Sequence, residues 1–71
     1  MSIWQVFEAM DGAPFNYGPC RRIECEETPV KGNIAPFKKG GQAVRVMKVE
    51  YDHDMSRAMG DSFYHVWIDW A

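Results

Sequence analysis

Cysteine is scarce in this sequence: Cys20 and Cys25 are the only two. A secreted domain of this size ordinarily relies on a framework of several disulfides, because its core is too thin to hold alone. Two cysteines exclude that design and make a reduced, cytoplasmic setting the expectation. Long apolar runs are missing as well. No stretch approaches the ~20 apolar residues of a membrane-spanning helix. The opening MSIWQVFEAMDG lacks the basic stretch followed by an apolar one that marks a secretory leader. Repeats, low-complexity tracts and linkers are also absent, so residues 1–71 read as a single domain.

The catalytic and cofactor signatures are equally thin. Ser2, Ser56 and Ser62 are the only serines, and none sits in a G-x-S-x-G elbow. No Gly-Lys-Ser/Thr follows a glycine-rich loop, and no stretch carries the run of acidic ligands that a calcium loop needs. Cys20, Cys25, His53 and His65 are potential metal ligands, but the second half has no paired histidines at zinc spacing. On a strand, five positions place Cys25 on the face opposite Cys20. A Cys–His nucleophile pair would need folding to bring one of these thiols to His65. Asp52-His53-Asp54 reads as a solvated loop rather than an acid–base centre. The expectation is a non-catalytic chain with no metal and no cofactor.

Aromatic side chains are plentiful instead. Three Trp, four Phe and three Tyr occupy a chain of 71 residues. So small a body buries only about 60% of its unfolded surface, so some of these rings reach the outside. Charge is uneven. From Cys20 to Lys48, seven basic residues stand against Glu24, Glu26 and Glu27; from Val49 onward, five acidic residues face only Arg57. The total is −2. Self-solvating strands are the plainer account of this segregation, which can also steer a partner or a second copy.

Four segments alternate as strands do. Ile3–Met10 is apolar on both faces, with Trp4 and Val6 on one and Ile3 and Phe7 on the other. Cys20–Glu27 turns Ile23 and Cys25 inward. In Gln42–Asp52, Val44 and Val46 share a face that Val49 and Tyr51 continue only if one extra residue is inserted near Met47–Lys48. That slip predicts a β-bulge, which bends a strand. Ser62–Trp70 sets Tyr64, Val66, Ile68 and Trp70 on one face and Phe63, His65, Trp67 and Asp69 on the other. Between these lie DGAPFNYGP, a long ordered loop, and TPVKGNIAPFKKGG, turn-rich with a short strand near 33–35. DHDMSRAMGD predicts a short helical turn near 54–59, capped by Asp52 or Asp54 and stopped by Gly60.

The fold expected is mainly β: a small antiparallel barrel or a strongly curved sheet of four to five strands. KKGGQAVRVMKVEYD followed by FYHVWIDW has an SH3-like rhythm, a glycine turn, a bent strand and an antiparallel return. The function expected is docking on a protein partner, or self-association as a homodimer, through the aromatic patch Phe63, His65, Trp67 and Asp69. Size and style fit a small inhibitor of the kind phages and mobile elements encode. An alternative is binding of single-stranded nucleic acid or a nucleotide through the basic segment 21–48, with Arg21, Arg22, Lys38 and Lys39 as contacts and Phe37, His65 and Trp67 as stacking rings. The acidic final third opposes that alternative, and KKGG is more simply a hairpin turn.

Overall fold

The computed structural model describes residues 1–12 and 22–71. The expectations for Cys20, Arg21 and residues 13–19 of the first long loop lie outside the described residues. Five strands and one helix follow in the order β1 (Ser2–Glu8), β2 (Arg22–Cys25), β3 (Ile34–Lys39), β4 (Gln42–Tyr51), α1 (His53–Met59) and β5 (Ser62–Trp70). They form one sheet of spatial order β2-β1-β5-β4-β3, curled into a half-barrel.

The most regular alternation in the sequence makes the middle of that sheet. Val66 and Ile68 of β5 turn inward and are fully buried, beside Val44 and Val46 of β4 and Trp4 and Val6 of β1. β4 runs antiparallel to β5, and the register slips between Val46, which faces Ile68, and Lys48, which faces Trp67. Met47 is the extra residue. The expected bulge is therefore in place, and it returns Val49 and Tyr51 to the inner side opposite Val66 and Tyr64.

β1 pairs with β5 in parallel, Ser2 with Ser62 through Glu8 with Ile68, whereas the other strand pairs are antiparallel. A parallel partner needs a long crossover. Here β2, β3, β4 and α1 all intervene. β5 is consequently central and paired on both sides, so it has no free edge to offer a second copy. The edges are β2 and β3. β2 is only four residues long, and β3 carries Pro36, which cannot donate to a ladder; both features discourage strand addition.

β3 is longer than the stretch expected at 33–35, because Pro36 hides the alternation of Ala35 and Phe37, both buried. Phe37, expected as a stacking ring for nucleic acid, is thus a core residue. Its ring meets the edge of Trp4 at 5.9 Å, interplanar angle 77°. The Trp4 indole N–H donates to the Glu27 carbonyl at 3.1 Å. Trp4 therefore joins β1 to β3 and to the loop crossing the open side of the half-barrel. The hairpin between β3 and β4 is KKGG as a turn: Gly40 and Gly41 have φ of 56° and 79°, the paired positive values of a two-residue type I′ loop. Lys39 reaches across to the Glu8 carboxylate and lies over the Trp70 ring.

Candidate functional site

The two faces of the sheet have different fates. The inner face is the core just described. The outer face presents Ile3, Gln5 and Phe7 from β1 beside Phe63, His65 and Trp67 from β5, paired one to one by the parallel register. Arg22 of β2 faces Gln5, while Lys48 and Glu50 of β4 face Trp67 and His65. A polar row of Arg22, Gln5, His65 and Glu50 therefore crosses an otherwise aromatic face.

One end of this face is closed by α1. Asp52 caps the helix: its Oδ1 accepts from the Met55 N–H at 2.9 Å, and its backbone is extended. Its own N–H donates to the Phe63 carbonyl at 2.9 Å. Ser56, one turn on, is buried; its hydroxyl donates to the Asp52 carbonyl at 2.7 Å and accepts the Phe63 N–H at 2.8 Å. These bonds press α1 against the start of β5. Ile3 and Phe63 are accordingly only 1% exposed. Phe63 thus supports the face from beneath rather than offering a ring to a partner, and the exposed aromatic patch narrows to its neighbours. Gly60, with φ of 75°, ends the helix by donating its N–H to the Ser56 carbonyl.

Asp52 has a second duty. Its Oδ2 lies 2.8 Å from His65 Nε2. The carboxylate can only accept, so His65 holds its proton on that nitrogen. The imidazole stacks on Phe7 (centroids 5.9 Å apart) and meets the edge of Phe63 at 5.5 Å. The hydrogen bond from His65, followed by that from the Met55 N–H, holds the Asp52 carboxyl below the ordinary aspartate range. The folded form therefore binds this proton less tightly than the unfolded chain. The resulting stabilisation is complete above the unfolded value of about 3.9 and is lost as pH falls through the lower folded value. Urea midpoints of wild type and Asp52→Asn should differ most near neutral pH and converge below about pH 4. A difference that persists unchanged into acid would show that the charge on Asp52 contributes nothing.

At the other end Phe7, Trp67 and Lys48 form a stack across three strands. The Phe7 and Trp67 rings are 5.0 Å apart with planes 21° from parallel, and the Lys48 ammonium lies 4.7 Å from the Trp67 centroid. Lys48 also pairs with Glu50 at 3.1 Å. Trp67 thus has a ring on one flat side and a cation against it, and it is half-buried. Asp69, next on this face, accepts the Trp70 N–H at 2.8 Å. Arg22 is held from two directions: Nε donates to Gln5 Oε1 at 2.9 Å, and its guanidinium carbon sits 5.2 Å above Phe63.

His65, Trp67 and Asp69 are therefore gathered on one face, as the alternation of β5 implies. Phe7, Gln5 and Arg22 join them through pairings that only the sheet order reveals. The residues of the nucleic-acid alternative are not gathered. Arg22 stands on β2 and Lys38 and Lys39 on β3, the two edge strands, with three strands between them. Lys38 lines a shallow depression of about 200 Å³ with Ile34, Pro36 and Ala43. Cys25 lies on the inner face, where burial raises its thiol above the usual range, and its Sγ points at the Glu27 carbonyl at 3.6 Å. His65 is on the opposite face. Among the described residues no group of three His, Cys, Asp or Glu converges as a metal site, and no helix is long and apolar enough to cross a membrane. The chain matches no protein-family model, no curated protein and no solved structure.

Proposed function

We propose that this chain is a non-catalytic binding module that docks on a protein partner through its outer face, centred on Trp67 with Phe7, His65 and Asp69 around it. The observation that carries this reading is the stack Phe7–Trp67–Lys48. A tryptophan fixed before binding contributes large contact area at low entropic cost, the usual character of an interface anchor. The same stack weighs against single-stranded nucleic acid. A base would have to displace Phe7 or Lys48 to reach a flat side of Trp67, whereas a protein partner can use the ring's edge and its surroundings.

A compact body with an SH3-like strand rhythm that occupies a partner's surface also suits a small phage-type inhibitor acting in the cytoplasm. Self-association would use this same face, since β5 offers no edge. The deciding experiment is recovery of partners from lysate on immobilised wild type and Trp67→Ala, followed by titration of the recovered protein. Loss of this anchor should weaken the titrated affinity about 30-fold or more, measured where circular dichroism shows the variant still folded. Equal recovery of every partner by both proteins would sink the proposal.

A further inference from the structure

Among the described residues Arg22 is the cation nearest the aromatic stack on the outer face that is held in place by neutral groups alone; Arg45, farther along β4, is tied to the Gly32 carbonyl. Lys48 is paired with Glu50, and His65 with Asp52. Arg22 is exposed, and among the described residues no carboxylate lies within ion-pair distance of it. Its position is nonetheless fixed, by the Nε bond to Gln5 and by Phe63 beneath. With Nε engaged, the two terminal nitrogens remain as a planar fork, the geometry that grips a carboxylate through two parallel hydrogen bonds. The Gln5 amide nitrogen stands beside it as a further donor, since Gln5 Oε1 already accepts from Arg22.

The spacing from Gln5, on which the fork is anchored, to the aromatic stack is set by strand geometry. Phe7 is two residues beyond Gln5 on β1, roughly 7 Å along the strand. An extended partner segment spans the same distance between alternate side chains. On the basis of the docking reading above, we infer that the partner presents an acidic side chain one or two residues from a large apolar one. The carboxylate sits on Arg22 and Gln5, and the apolar side chain lies against Phe7 and the edge of Trp67. Glu24, on the same face two residues along β2, is exposed and makes no ion pair among the described residues. It repels a second acid at that end and so sets the direction in which the segment lies.

The test is selection of random dodecapeptides displayed on phage against immobilised wild type, Arg22→Ala, Arg22→Lys and Trp67→Ala, followed by fluorescence titration of a synthetic enriched peptide. Wild type should enrich Asp or Glu within two positions of Leu, Phe or Trp. Arg22→Ala should weaken the synthetic peptide about tenfold or more, and replacing the peptide's acid by Ala should cost as much. Arg22→Lys keeps the charge without the planar fork and should recover only part of the loss. Enriched peptides that need Trp67 but lack an acid, or bind Arg22→Ala equally well, would overturn this inference alone. Enrichment of nothing, or of peptides indifferent to both residues, would overturn the docking reading with it. Retention of single-stranded oligothymidylate by wild type, lost in Arg22→Ala, would overturn the inference in favour of phosphate.

Discussion

Trp4→Ala should leave the chain unfolded in water at room temperature. Trp4 is 2% exposed and is the largest side chain in the core. Truncating a buried tryptophan costs about 3–5 kcal/mol through lost transfer energy and the cavity left behind. A domain of 71 residues has roughly 4–11 kcal/mol to lose. Two further losses are specific to this site. The edge contact with Phe37 disappears, and the Glu27 carbonyl keeps only the weak Cys25 thiol as donor. Both of the lost contacts hold β3 and the loop before it over the inner face, so their loss opens the half-barrel as well as hollowing it. Trp4→Phe keeps a ring against Phe37 and should remain folded at a cost of about 1–2 kcal/mol. Circular dichroism with urea titration separates the three proteins. A cooperative Trp4→Ala transition with a midpoint near that of wild type would show that closure does not depend on this ring.

The second large effect is a contrast between two deletions in β4. Removing Met47 removes the residue that has no opposite number on β5. Val46 then faces Ile68 and Lys48 faces Trp67 in an unbroken ladder, and every side chain keeps its side. Removing Val49 also permits an unbroken ladder, but only by placing Met47 opposite Trp67 and Lys48 opposite Val66, with the ammonium turned inward against the core. The lost apolar burial and the desolvated charge should together cost more than about 2 kcal/mol. The Met47 deletion should therefore fold and the Val49 deletion should be strongly destabilised, as read from urea midpoints. Two unfolded proteins would mean that the bend made by the bulge, rather than the facing it permits, is what β4 must supply.

What could be read from the amino acids alone follows the range of the interactions involved. The bulge was legible because Val44, Val46, Val49 and Tyr51 lie within one strand and declare their own phase. Ser62–Trp70 has its expected limits because nine alternating residues are unbroken by glycine or proline. The helix from His53 was legible because its cap and stop, Asp52 and Gly60, are local chemistry. β3 was only glimpsed, since Pro36 interrupts its pattern and only the edge position tolerates it. The parallel pairing of β1 with β5 leaves no local trace. It decides the candidate site nonetheless, because it brings Phe7 to Trp67 and Gln5 to His65. The neighbours His53 and Asp54 drew attention to Asp52, but its true partner is His65, thirteen residues away. Phe63 was legible as an outer-face residue. That it lies beneath α1 depends on Ser56 accepting its N–H, which no periodicity announces.

The central place of β5 also governs when the sheet can come into being. Ser2 finds its partner in Ser62, sixty residues later, and β4 reaches β5 only across α1. During synthesis β1 emerges early and, with only β2 to pair with, leaves its other edge open until Ser62–Trp70 has left the ribosome. Pairings this distant in sequence are slow to form, because loop closure must precede the contacts that reward it. β1, apolar on both faces, is for that interval the part of the nascent chain most in need of a chaperone.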